Sequence, residues 1–425
     1  MIDKLKTWLL VLLVGLSLVQ TYYLSYSSPK FDPLVQQDYV KTDPIGTQAK
    51  LEDLLFADQV ILHMGNQVHT VLYPNTAAYN QVLDSVKQRT LSGFRKTTVS
   101  ALNMNLDEVR GKQQGIELTF RDGVPINILQ RIMQLKGDLP PDNDIITRIW
   151  IIAREAKDEV RTILFTDTAS TVYEVQKADI SAKDIERLMV VEGTVPYKVD
   201  GDYYLPTKPV AFPSYKFSYT QFTGDQLKRT FFVDPAITRN LSEWDGTEIY
   251  TDAKRGLQLK NDQHWLIYSD PVAPADSKID VQENLISAVQ FVNQHGGWNG
   301  QYGVQKVPQR LLPVNQAFIF RQYYGSLPII NQRSENIGFI KMVLQKGIVS
   351  SYERSTIIPD SQGVTSKEVP LSYGEVLDAK LNQYPKKNAV ISVFPGYRPI
   401  VGEQKMELVP AWTVELRDGT YEFLE

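Results

Sequence analysis

Hydrophobic and polar positions follow two regimes along this chain. Residues 7–24, TWLLVLLVGLSLVQTYYL, are predominantly apolar and carry no charge. As a helix these 18 residues span about 27 Å at ~1.5 Å per residue, close to a hydrocarbon core of ~30 Å. Leucines and valines contribute about −0.3 to −0.6 kcal/mol each near the bilayer centre, which outweighs one Gln and one Ser. Lys4 and Lys6 precede the run and place the N-terminus in the cytoplasm. Trp8 at one end and Tyr22, Tyr23 and Tyr26 at the other occupy interfacial positions. The expectation is a single-pass membrane helix with the bulk of the chain extracytoplasmic. A cleaved signal peptide is the competing reading, with Ser25 and Ser27 as a small-x-small site. The run is longer than an h-region of about 7–15 residues, which favours the anchor.

Within the helix, Ser17, Gln20 and Thr21 lie at i, i+3 and i+4 and share one face. That face is either a tolerated polar patch or a helix–helix contact. Such side chains hydrogen-bond across membrane helices for roughly 0.6–2 kcal/mol each.

After residue 28 the pattern changes to helical periods interleaved with alternating strands. Residues 27–44 read as a tether. Residues 59–64 and 67–73 flank Gly65-Asn66 as a hairpin, and Thr76 caps a helix carrying Tyr79, Val82, Leu83 and Val86 on one face. Gly93 is its expected stop. Strands are expected at 145–153, 159–166 and 171–176, then a helix started by Ser181 and Asp184. A second block has strands at 215–222, 227–233, 247–251, 256–259 and 265–268. A helix from Asp280 follows and ends at His295-Gly296-Gly297, and 298–308 reads as a linker. A third block has strands at 316–324, 338–343 and 348–354, a helix capped by Ser372 and Glu375, strands at 390–394, 406–408 and 412–416, and a hairpin through Asp418-Gly419. The predicted class is α+β with mostly antiparallel sheets. The predicted units are 1–28 (tip and membrane helix), 29–196, 197–305 and 306–425. The last two each join a meander to a late helix and read as related modules.

Composition narrows the partners. The 425 residues carry a net charge of −4, with the first 28 at +1 and the remainder at −5. A mildly acidic body argues against nucleic acid and against broad binding to anionic lipid. Cysteine is absent, which removes thiol catalysis, disulfides, Cys-based metal sites and thiol-linked lipid anchors.

Catalytic signatures are not found: there is no G-x-x-x-x-G-K-[ST], H-E-x-x-H or G-x-S-x-G. His63 and His69 are six apart across the hairpin, and a metal reading would need a third ligand, for which Asp58 is the near candidate. Ordinary strand histidines are the preferred reading. His264 has no Ser–Asp constellation beside it, and neither does His295, which lies where a cation suits a helix C-terminus. Asp234-Pro235 reads as an N-cap with Pro at N1. Residues 251–256 read as a solvated turn, and Trp298 in its Gly-rich setting as a packed aromatic. No catalytic, cofactor-binding or metal residue is assigned, and no cofactor is expected.

Several segments together carry a resemblance: FFVDPAITRN (231–240), IYTDAKRGLQL (249–259), WLIYSDP (265–271), FRQYYGSLPI (320–329) and PAWTVELRDGTYEF (410–423). With the N-terminal anchor, the chain resembles the YycH family, membrane-anchored accessory regulators of an essential cell-wall sensor histidine kinase (YycG, also called WalK). Its C-terminal half also looks like the sister regulator YycI, and its last strand pair like the closing hairpin of PepSY-like modules. The resemblance implies a non-enzymatic role exercised in complex with the kinase and YycI, with membrane helices contributing. The Ser17/Gln20/Thr21 face is a candidate seam on physical grounds alone. The alternative is an anchored envelope enzyme or carbohydrate-binding protein, motivated by the aromatics near Trp298 and the scattered carboxylates.

Overall fold

The computed structural model describes residues 2–26, 46–139, 144–154, 159–271, 281–307, 316–331, 336–345 and 348–425. The expected tether at 27–44 and the expected helix start at Asp280 lie outside them. The N-terminal apolar run is one helix, Ile2–Tyr26. Its stretch Lys4–Tyr22 is long and apolar enough to cross a membrane, with mean hydropathy 1.5.

Among the described residues the body has three sheets, whose strands pair antiparallel except that Thr90–Thr98 pairs in parallel with Gln134–Lys136. The first has ten strands. It opens with the hairpin Gln59–Gly65 and Val68–Leu72, whose turn residues Asn66 and Gln67 both have positive φ, 52° and 60°. That combination matches the right-handed twist of a two-residue turn. Thr76 caps the helix Ala77–Lys87 by accepting from the Tyr79 amide at 3.3 Å, and Tyr79, Val82, Leu83 and Val86 are its buried residues. Gly93 does not stop this helix. It sits inside the strand Thr90–Thr98 at φ +72°, where a Cβ would crowd the Gln176 side chain at 3.0 Å. Ser181 and Asp184 form their expected capping box.

The second sheet has six strands and the third nine, and the two are interleaved in sequence. Strand Val210–Gln221 pairs with Thr365–Leu371, Ile357–Pro359 and Lys405–Leu416 in the six-stranded sheet. Between these, residues 239–355 build the nine-stranded sheet, where Trp265–Ser269 pairs with Ile348–Ser355. Ladders also join residues on either side of 196/197 and of 305/306. Tyr197 pairs with His69 in the first sheet, and Gln301–Lys306 pairs with Gln316–Tyr324. Gly- and Pro-rich composition marks loops, while ladder partners far apart in sequence leave no local mark.

Three local expectations give way. Residues 227–233 do not form a strand. The helix Gly224–Phe231 takes in 227–231, opened by a Thr223–Gln226 capping box and burying Leu227, Thr230 and Phe231. The stretch 298–308 is not a bare linker, since it contains the strand Gln301–Lys306. The helix Gly374–Gln383 starts without a side-chain cap, so Ser372 and Glu375 form no box. The helix Val281–Gln294 buries Leu285, Val289 and Val292, within the same core cluster as Phe318, Phe320, Ile340 and Met342 of the nine-stranded sheet. That cluster extends without a break into the first sheet through Val60, Leu62, Ile116 and Leu118.

Candidate functional site

Ser17, Gln20 and Thr21 lie in the N-terminal helix Ile2–Tyr26, a candidate membrane span. Ser17, Gln20 and Thr21 are all exposed along the helix and fall within an arc of about 100° at 3.6 residues per turn. The Thr21 hydroxyl donates to the Ser17 carbonyl at 2.8 Å, which satisfies the donor inside the helix and leaves oxygen lone pairs facing outward. Ser17 and Gln20 add donors that a neighbouring helix can meet.

Within the body, a polar junction forms where the three sheets meet. Its origin is local. The strand Gln114–Pro125 loses its regular ladder with Ile145–Arg154 between Thr119 and Val124, around Gly123 at φ +75°. That irregularity releases Arg121 and Asp122 from the sheet. The Arg121 amide donates to Asp58 Oδ2 at 2.7 Å, and the Tyr323 hydroxyl from the nine-stranded sheet donates to Asp58 Oδ1 at 3.0 Å. The Arg121 guanidinium lies 3.3 Å from the Phe394 ring centroid, and its Nε is 3.8 Å from Glu415 Oε2, both in the six-stranded sheet. Tyr421 donates to Glu415 Oε1 at 3.3 Å and accepts from the Gln305 amide. Gln305 Oε1 in turn accepts from Arg321 Nε at 2.8 Å. Burial pushes the Glu415 carboxyl up to about 7 despite Arg121, with Asp122 and Asp58 adding repulsion.

A second buried cluster lies inside the first sheet. His63 and His69 face each other across the hairpin with Nδ1 atoms 2.9 Å apart. His63 Nε2 is 3.2 Å from Glu117 Oε2, which also accepts from the Tyr204 hydroxyl at 2.7 Å. Although burial works against it, contact with His63 brings the Glu117 carboxyl down to about 2. The acid beside the histidine pair is thus Glu117 and not Asp58, which belongs to the junction. The two Nδ1 atoms are joined to each other, so they do not converge on a shared ion. Burial, then His63 and Arg110, lowers the His69 pKa to about 4.

The remaining residues singled out from sequence have structural work. Asp234 accepts from the Ala236 amide at 2.9 Å with Pro235 at N1. Asp252 accepts from the Lys254 and Arg255 amides, and Arg255 reaches Asp270 at 3.4 Å. Trp298 is buried and donates to Asn293 at 2.8 Å, so it is not an open sugar platform. His295 is not a helix-end cation: it is buried against Phe291, and burial lowers its pKa to about 4.

Comparison with known proteins agrees along the whole length. The family model described as YycH protein, N-terminal domain, matches residues 3–191, and that described as YycH protein, C-terminal domain, matches residues 200–423. A similar curated protein is the "Two-component system WalR/WalK regulatory protein YycH" of Bacillus subtilis (strain 168), 18% identical, with 97% of this chain and 94% of that protein aligned. The crystal structure of YycH from Bacillus subtilis superposes with a TM-score of 0.70 at 17% identity, over 89% of this chain and 98% of that one. At that identity the superposition speaks to the fold.

Proposed function

The chain belongs to the YycH family, and from that premise we propose that it is a non-enzymatic regulator of the sensor histidine kinase of a WalR/WalK-type two-component system. It acts from the membrane through a complex with the kinase and a YycI-like sister protein, in the control of cell-wall metabolism. The N-terminus is cytoplasmic and the three-sheet body extracytoplasmic, as Lys4 and Lys6 ahead of the span favour. The observation that carries this reading is the uncharged run 7–24 inside the helix Ile2–Tyr26, long and apolar enough to cross a membrane, joined to a body that matches both YycH family models.

A regulator shifts a kinase only by binding its two states with different affinity. A coupling of about 1–3 kcal/mol changes output roughly 5–150-fold, and a few interhelical hydrogen bonds from Ser17, Gln20 and Thr21 are of that size. Replacing residues 7–24 with an unrelated span, with the body intact, is expected to change kinase output and reduce recovery of the kinase from solubilised membranes. The triple variant Ser17→Leu, Gln20→Leu, Thr21→Leu is expected to do the same more weakly. Unchanged output and recovery in the full swap would remove the helix from the mechanism.

A further inference from the structure

Arg321 is a buried cation whose partners are all neutral. It is 7% exposed. Its Nε donates to Gln305 Oε1 at 2.8 Å, and its Nη1 to the Ile329 carbonyl at 3.2 Å and to Asn331 Oδ1 at 2.5 Å. Among the described residues no carboxylate lies within ion-pair distance, and Nη2 has no hydrogen-bond acceptor. A buried charge left without a counter-ion is costly.

Two other buried arginines show how the same cation is satisfied elsewhere. Arg354 donates to the Gly297 carbonyl at 2.7 Å, just beyond the C-terminus of the helix Val281–Gln294, and to Asn299 Oδ1 at 2.6 Å. It also donates to the Tyr352 hydroxyl at 3.1 Å, and its guanidinium lies over Phe222. Arg110 pairs with Asp107 at 2.6 Å. Arg321 also lies over rings, Tyr421 at 5.5 Å and Phe339 at 5.7 Å, but it forms no ion pair with a described residue, and it borders a cleft of about 240 Å³ to which all three sheets contribute. At ~30 Å³ per water, that is room for a small molecule.

The walls define the chemistry. Lys306, exposed at the rim, adds a second cation, and Ile319 and Phe339 supply an apolar surface. Asp122 also lines the cleft, its carboxyl raised by burial and Asp58 and lowered by Arg121 and Lys306, so an incoming oxyanion competes with it for Lys306. We propose that this cleft binds a small ligand bearing a carboxylate or phosphate, with the oxyanion on Arg321 Nη2 and Lys306 and the ligand body against Phe339. A guanidinium fork suits either planar carboxylate or phosphate oxygens. Binding there ties the Gly419–Tyr421 turn of the six-stranded sheet to the nine-stranded sheet. The inference goes beyond the regulatory reading and stands independently of any kinase.

Calorimetric titration of the full chain in detergent with N-acetylalanine and, separately, inorganic phosphate tests it. Saturable binding of at least one is expected, with a matching rise in unfolding temperature. Which of the two binds distinguishes a carboxylate source from a phosphate source. Lys306→Gln, a change at an exposed position, is expected to weaken binding roughly tenfold, and Arg321→Lys to weaken it further by losing the fork. If Arg321→Lys does not fold, Lys306→Gln decides alone. The proposal is overturned by no saturable binding of either anion up to roughly 10 mM, or by an affinity that Lys306→Gln leaves unchanged.

Discussion

Glu117 and Glu415 sit in two different polar clusters at nearly the same depth, 2% and 3% exposed, yet their carboxyls shift in opposite directions. Glu117 lies inside one sheet and is met by His63 at 3.2 Å and by Tyr204 at 2.7 Å. Glu415 lies between sheets and has Arg121 only at 3.8 Å and Tyr421 at 3.3 Å, with Asp58 and Asp122 nearby. Burial penalises both anions alike. The close His63 contact and the Tyr204 hydrogen bond reverse the penalty at Glu117, to about 2, and longer contacts leave it standing at Glu415, at about 7. A ladder fixes geometry to a fraction of an ångström. A junction assembled from three sheets leaves its charges further apart.

The largest test of this contrast is Glu117→Gln. Gln removes the carboxylate whose depressed pKa reports its favourable surroundings, and is expected to cost up to about 3 kcal/mol, measured as a lower urea midpoint at pH 7. A cost no larger than that of Glu415→Gln would refute the contrast.

The next effect is in pH. The folded carboxyl of Glu117 is depressed, so its stabilisation is present above the unfolded value near 4.5 and is lost as pH falls toward 2. Glu415 is raised, so its contribution is present below about 4.5 and is lost as pH rises through about 7. The two windows therefore lie on opposite sides of pH 4.5, each worth on the order of 3 kcal/mol at most. Glu415→Gln mimics the protonated acid. It is expected to match the parent near pH 4.5 and to exceed it in stability above pH 7, by about 2–3 kcal/mol at most. Denaturation midpoints across pH 4–9 read this directly, and parallel curves for parent and variant would show that Glu415 does not titrate there.

The contrast also explains what could be read from sequence. The hairpin at Gly65-Asn66, the Thr76 cap and the apolar face of Val281–Gln294 rest on neighbours within a few residues, so their patterns are visible in the chain. The helix Gly224–Phe231 was readable too, since Thr223 and Gln226 carry the capping-box spacing, but Leu227–Phe231-Phe232 resembles a strand by hydrophobicity. The junction was not readable as a site. Asp58, Arg121, Arg321 and Glu415 are far apart in sequence, and nothing local marks their convergence. One signal was present: Arg-Asp-Gly occurs at 121–123 and again at 417–419. The Asp-Gly turn cue identified the second, and the same cue marks the ladder break that frees Arg121.

Matched tyrosine substitutions give the finest test. Tyr204→Phe removes a hydroxyl that donates to a charged carboxylate at 2.7 Å, and bonds to charged groups are worth about 1.5–3 kcal/mol. Tyr421→Phe removes a longer bond, 3.3 Å, to a carboxyl that is half protonated near pH 7, so about 0.5–1 kcal/mol is expected. The two variants also differ in direction. Tyr421 donates to the ionised form of Glu415, so its loss moves the Glu415 midpoint further above 7, and the stability of this variant falls less at pH 5 than at pH 8. Tyr204→Phe leaves Glu117 ionised throughout that range, so its cost is the same at both. A Tyr421→Phe penalty that is equal at pH 5 and pH 8 would mean that Tyr421 acts only through packing, and that the loose contact at the junction carries no charge-dependent bond.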